Sequence, residues 1–174
     1  MEKYLDEYSS YKWVCIPLNG KIPILKKWNQ FDHTPDAKVF TNRNIGVLTG
    51  KASGITILDV DIKDNGLVYW KQIESLYPLI DTPIVKTPSG GLHIYFKYEK
   101  SLSSSSRLIL KRNDTTSHRI GWDILNDNRQ AVVPPSSDMQ INGLKRYKWI
   151  QSPSKCKISK MPKWLVDYIK LSTK

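Results

Sequence analysis

The sequence predicts a single α+β domain: a predominantly antiparallel sheet with helices on one side. Three observations carry that reading. Short runs alternate apolar and polar residues, most cleanly in "LHIYFKY" (92–98), which is the period of a strand. Turn signals such as "NGK", "PSGG" and "NDNR" separate these runs. With 174 residues, 40% apolar and 25% charged, the chain has the size and composition of one globular unit with a real core.

Taken in order, residues 1–12 form a short amphipathic helix. "WVCIPL" is a strand ending in the "NGK" turn, and "KIPILKKW" continues extended because Pro23 forbids a helix interior. In "HTPDAKVFTN", Thr34 is placed to cap a helix whose first residue is Pro35. "NIGVLTG" is a short strand and "GITILDVDI" the strongest one in the chain. Asp64 or Asn65 caps the helix "GLVYWKQIESLY", which stops at Pro78. "PIVKT" and "LHIYFKY" are strands around the tight "PSGG" turn. "SLSSSS" is a low-complexity loop and "RLILKR" a short strand. "RIGWDIL" and "QAVVPP" are expected to pair antiparallel across "NDNR". "RYKWI" is a late strand, and "PKWLVDYIKL" a closing helix with Pro162 at its start. No internal repeat is present.

Composition narrows the function. No run of 18 apolar residues exists, so no membrane span is expected. The start "MEKYLDEYSSYKW" lacks the basic and apolar regions of a signal peptide, and Cys15 and Cys156 make no CxxC pair. Together these point to an intracellular, reducing setting. The net charge of +11, from 27 Lys+Arg against 16 Asp+Glu, favours a polyanionic partner, most often nucleic acid. Beyond Gln140 the basic residues include Lys145, Arg146, Lys148, Lys155 and Lys157, and Asp167 is the one acid. Tyr147, Trp149 and Trp164 interleave with them, as stacking on bases would need, although both tryptophans also suit a core. Lys111 and Arg112 suit either a template backbone or an ordinary solvated face.

The chemistry centres on "LDVDI" (58–62). Residues i and i+2 of a strand share a face, so Asp59 and Asp61 point one way while Leu58, Val60 and Ile62 point into a core. Two neighbouring carboxylates repel unless neutralised, and a divalent cation such as Mg²⁺ or Mn²⁺ does this; the alternative is that both end the strand in water, ahead of "KDNG". In "TPSGGLHIYF", His93, Tyr95 and Lys97 occupy the polar face, just after a turn in which Ser89, Gly90 and Gly91 offer donors to an anion. In "GWDIL", Asp123 stands opposite in sense to the apolar Trp122 and Ile124. If these strands adjoin, Asp59, Asp61, Asp123 and His93 converge on one patch able to hold one or two metal ions against nucleotide phosphates.

DxD, a Ser/Gly turn leading to His, and a strand-borne Asp between apolars resemble motifs I, II and III of the archaeo-eukaryotic primase superfamily. The closer similarity is to the primase–polymerase domains of viruses, phages and plasmids. It is carried by "PLNGKIPILKKW", "NIGVLTGKASGITILDVDIKDNG", "TPSGGLHIYF", "GWDILNDNRQAVVPPSS", "YKW" and "MPKWL". The resemblance implies a catalytic core with a modified RNA-recognition-motif-like antiparallel sheet and an N-terminal α/β unit. It covers residues 1–174 as a single catalytic domain, and allows that to be the N-terminal piece of a longer primase–helicase. It makes Asp59, Asp61 and Asp123 metal ligands for Mg²⁺ or Mn²⁺, and His93, with Ser89, Gly90 and Gly91, the contact to the incoming triphosphate. Lys21 and Asn44 become secondary nucleotide-site candidates, and Lys111, Arg112, Lys145, Arg146 and Lys148 candidates for nucleic-acid contact. The implied partners are a single-stranded DNA template, NTPs or dNTPs, and a replicative helicase. The sequence departs from the family after the motif III "DI": Leu125 and "NDNR" stand where a basic residue and a Gly-rich turn are common, with Arg129 as the candidate replacement for the charge.

Two other functions fit parts of the pattern. A glycosyltransferase would use DxD to hold Mn²⁺ against a nucleotide-sugar, which the short, basic chain disfavours. A non-catalytic single-strand-binding module explains the charge and the aromatics and leaves the acids without a role.

Overall fold

The computed structural model describes residues 1–78, 80–104, 108–111 and 117–172. The chain opens with α1 (Glu2–Ser10), β1 (Cys15–Asn19) and β2 (Ile22–Pro23). Two 3-10 turns, Trp28–Gln30 and Ala37–Phe40, lead to β3 (Asn44–Leu48). Next come β4 (Ile55–Val60), a 3-10 turn at Lys63–Asn65, α2 (Gly66–Leu76), β5 (Ile84–Lys86) and β6 (Leu92–Lys97). The ribbon β7 (Ile109–Lys111) and β8 (Ser117–Arg119) precedes β9 (Trp122–Leu125) and β10 (Gln130–Val133). A second ribbon, β11 (Ser137–Gln140) and β12 (Gly143–Arg146), is followed by β13 (Lys148–Gln151) and α3 (Lys163–Ser172).

The fold is α+β with antiparallel sheets. One sheet has four strands in the order β10-β3-β1-β2, the other five in the order β13-β5-β6-β4-β9. The five-stranded sheet is covered on both faces. Ile55, Ile57, Val85 and Tyr95 face a core shared with α1 and the four-stranded sheet, alongside Tyr8, Ile16 and Val47. Leu58, Val60, Ile94, Phe96, Trp122 and Ile124 face a second core closed by Trp70 of α2 and Leu165, Val166 and Ile169 of α3. Burial on both sides is why "ITIL" is apolar without a break. Of the helices, α2 and α3 share one side of this sheet, while α1 packs on the other core through Leu5 and Tyr8. Among the described residues no helix is long and apolar enough to cross a membrane.

Several local expectations change. "RIGWDIL" and "QAVVPP" do not pair: β9 joins β4, whereas β10 joins β3 in the other sheet. The reason is Asn126, which is fully buried at the corner between them. Its amide donates to the carbonyls of Leu102 (2.6 Å) and Glu99 (3.1 Å), its side-chain oxygen accepts from Thr56 (3.0 Å), and its carbonyl accepts from Thr49 (2.5 Å). Those bonds turn the chain out of one sheet and into the next. Ile62 is not core but 51% exposed, because β4 ends at Val60. Thr34 caps no helix. Its hydroxyl accepts from the Cys15 amide, and Asp36 caps the short 3-10 turn by accepting from Lys38. Cys15 is buried as expected, and burial pushes its thiol up to about 12. Lys111 ends β7, while Arg112 and residues 105–107 of the serine run lie outside the described residues.

Replacing Asn126 by alanine removes the donors to two carbonyls and the acceptor for the buried Thr56 hydroxyl proton, whose oxygen still accepts from the Glu99 amide. Unfolding in urea is expected to show a loss of roughly 2–4 kcal/mol with an unchanged dependence on denaturant.

Candidate active site

Strand register assembles the site. Asp59 on β4 is directly opposed to His93 on β6 and, on its other side, to Asp123 on β9. Directly opposed residues of antiparallel strands share a face, with Cβ atoms about 4.5–5.5 Å apart. Asp123, Asp59 and His93 therefore form a row across three strands, which Val85 and Trp149 continue. The face bearing this row is not the open polar face that alternation suggests. Tyr95 is fully buried there and His93 is only 5% exposed. Trp13 stacks on Tyr95 at 5.4 Å, and Trp149 lies 5.2 Å from it.

Asp61 lies just past the end of β4, with its backbone locked. Its amide donates to the Gly121 carbonyl (2.7 Å), and its own carbonyl accepts from Leu67 at the start of α2 (2.9 Å). Two glycines permit this approach. A Cβ on Gly91 would sit 2.3 Å from the Val60 carbonyl oxygen, and one on Gly121 would sit 2.0 Å from that of Lys63.

A cleft of about 220 Å³ opens over Asp59 and His93, lined also by Lys21, Asp61, Ser89 and Tyr147; Asp123, next to Asp59 in the row, is not among its lining residues. Lys21 comes from the β1–β2 turn and is held by an ion pair with Asp138 (2.8 Å). The Gln130 amide donates to the Lys21 carbonyl (3.0 Å), which steadies the same turn. Ser89 lies 3.0 Å from the Thr87 hydroxyl. The Gly90 amide is engaged in closing the turn on the Thr87 carbonyl (3.0 Å), so Gly90 and Gly91 shape the turn. Asn44 stands away from the cleft: its amide bridges the Gly20 and Ser137 carbonyls and accepts from the Ser137 amide. Gln130 is a site residue that motif reading did not single out. Tyr147, read from the sequence as an aromatic for stacking on bases, is instead buried, with its ring 5.8 Å from that of His93. Its place in a basic segment gave no sign of that.

Electrostatics reflect the crowding. Burial, then the charges of Asp61 and Asp123, push the Asp59 carboxyl up to about 8, with Lys21 opposing. Asp61 is raised by burial and by Asp123. Burial, then the Lys21 charge, pull His93 down to about 4. His93 Nε2 is 3.6 Å from Asp59, too long for a hydrogen bond. Around neutral pH the imidazole is uncharged, so the two do not form an ion pair. Its Nδ1 is buried without a hydrogen-bond partner among the described residues. Among those residues no group of three or more His, Cys, Asp or Glu side chains is placed to hold a metal ion. The donor chemistry nonetheless suits a hard divalent cation: oxygen ligands only, with Asp59 and Asp123 opposed in register and the Asp59 carboxyl kept protonated by burial and then by its acidic neighbours.

The remaining candidates fall elsewhere. Lys145, Arg146 and Lys148 line a separate groove next to the cleft. Trp164 stacks on Tyr77 at 4.2 Å, and Trp149 packs against the first core, so neither is presented as a stacking platform. His33 is exposed beside Asp32.

The family model described as "Prim-Pol: Bifunctional DNA primase/polymerase, N-terminal" matches residues 5–164. No curated protein matches the chain.

The shifted groups make stability depend on pH. The folded state keeps the Asp59 proton up to about 8, whereas the unfolded chain releases it near 3.8; the folded state keeps His93 neutral down to about 4, whereas the unfolded chain protonates it near 6.5. Between about 4 and 6.5 the two effects oppose each other. From 6.5 to 8, of these two groups, Asp59 alone still differs between the folded and unfolded states, the unfolded state binds fewer protons, and stability falls with rising pH. Thermal unfolding in EDTA should reveal a decline of about 2 kcal/mol across that interval. Asp59→Asn should flatten it, and Mn²⁺ should cancel it in the unsubstituted chain.

Proposed function

Because the chain belongs to the family of bifunctional DNA primase/polymerase N-terminal domains, we propose that it is a divalent-metal-dependent nucleotidyltransferase. In this reading it adds NTPs or dNTPs along a single-stranded DNA template, making or extending primers in DNA replication alongside a helicase. The observation that carries the reading is the row Asp123–Asp59–His93 across three adjacent strands, with Asp61 just past the strand end.

Asp59, Asp61 and Asp123 would hold Mg²⁺ or Mn²⁺. When bound, the cation makes the attacking 3′-hydroxyl more acidic and offsets the charge of the triphosphate. The other roles belong to the chain itself. His93, kept neutral by burial, donates a hydrogen bond to a phosphate oxygen without adding charge. Tyr147 holds the imidazole ring in place from one side. The positive charge comes from Lys21, whose ammonium already acts on both Asp59 and Asp61. The Ser89 hydroxyl at the turn offers a further donor. The low exposure of the row limits water around the transferring phosphoryl group, which strengthens these interactions.

The test is incorporation of labelled nucleotides on a primed and an unprimed single-stranded template with Mg²⁺ or Mn²⁺. Template-dependent product is expected, falling by at least ~10²-fold in Asp59→Ala and Asp123→Ala and by ~10-fold or more in His93→Ala. Tight oligonucleotide binding without product, unchanged by Asp59→Ala, would favour a binding module. Transfer from UDP-sugars would favour a glycosyltransferase.

A further inference from the structure

Next to the candidate site runs a groove of about 600 Å³, bounded by the β5–β6 turn on one side and by β12 and the start of β13 on the other. Lys86, Lys145, Arg146 and Lys148 line it, and none of its lining residues is acidic. Thr87 and Ser89 line both this groove and the cleft over the acids, so the two spaces adjoin. Lys86 and Lys148 are exposed and directly opposed in register on β5 and β13. Like charges directly opposite one another destabilise a sheet unless an anion lies between or over them. The register thus imposes a cost that a bound phosphate would remove.

The ribbon β11–β12 forms the outer wall. Met139 and Leu144 are directly opposed in it, sharing a face, and are 70% and 61% exposed. Ile141 at the tip is fully exposed. A ribbon with a basic strand, an apolar pair and an apolar tip pairs phosphate contacts with surfaces suited to base faces. The Lys21–Asp138 ion pair ties this ribbon to the turn over the acids.

We propose that this groove seats the phosphates of the single-stranded nucleic acid entering the site, with Met139, Ile141 and Leu144 packing against its bases. The inference rests on nucleic acid being the substrate, as proposed above. It assigns the strand a path along β12 and β13, and not along the acid-lined cleft.

Fluorescence anisotropy of a labelled single-stranded DNA oligonucleotide, without metal or nucleotide, tests it over a range of salt. Lys86→Ala, Arg146→Ala and Lys148→Ala should each weaken binding several-fold and lower the salt slope by about 0.7. Met139→Ser combined with Ile141→Ser should weaken binding with the slope unchanged. These side chains are exposed, and circular dichroism and the unfolding midpoint check that the variants fold. Unchanged oligonucleotide affinity and slope in the charge variants would overturn the proposal. So would weakened binding of free NTP with oligonucleotide binding intact, which would make the groove a triphosphate seat. Asp59→Ala keeps the two readings apart: it should retain oligonucleotide binding while losing incorporation. If even the unsubstituted chain incorporates nothing, loss of binding in the groove variants still supports the path.

Discussion

Two carboxylates face each other across adjacent strands of a sheet that is covered on both sides. That juxtaposition of Asp59 and Asp123 helps set the electrostatics of the candidate site. Burial and mutual repulsion both favour the protonated form of Asp59, and Asp61 just beyond the strand end adds to the strain. Water relieves it only in part, since Asp59 is 24% exposed at the side chain. In the proposed reading a divalent cation would relieve the rest, and the arrangement that keeps a proton on Asp59 is the one that would accept a metal. His93 completes the balance: held neutral in the same row, it adds hydrogen-bonding capacity without adding charge that would compete with the cation.

The scaffold keeps those groups from relaxing apart. Ile55 and Ile57, on the same strand face as Asp59, are packed against the four-stranded sheet and so fix the strand that carries it. Asp61 is fastened through its backbone to the entries of β9 and α2, at a place where only glycines let three chain segments meet. Asn126 fixes the corner from which β9 and β10 diverge, so the strand carrying Asp123 and the strand bordering the cleft are positioned by one buried amide. Lys21 reaches over the acids from the opposite sheet and is anchored by Asp138 on the ribbon.

The same physical logic, with its sign reversed, operates just outside. Asp59 and Asp123 form an opposed pair of acids within the sheet, one of which keeps its proton, and Lys86 with Lys148 forms a like-charge pair on its edge. The first set calls for cations and the second for anions, and the two meet at Thr87 and Ser89. In the proposed reading, a polyanion drawn by the overall charge of +11 would bind along the basic wall and not in the acidic cleft.

Alternation in "ITILDVD" and "LHIYFK" was enough to show which residues share a face within one strand. Residue chemistry was enough to single out Asp59, Asp61 and His93, which the fold brings to one cleft, and to read Cys15 as core. Cap and proline signals located α2 and α3. Periodicity, however, carries no information on which strands are neighbours or what covers a face. The row of Asp123, Asp59 and His93 exists because β9 and β6 flank β4 in a particular register. The supposed polar face of β6 is an inter-sheet face because Trp13 and Trp149 close over it, and "QAVVPP" leaves its expected partner because Asn126 finds better hydrogen bonds at the corner. Residue chemistry and spacing were set by the sequence itself. Convergence, burial and the resulting proton affinities belong to the tertiary structure, because they depend on contacts between segments that lie far apart along the chain.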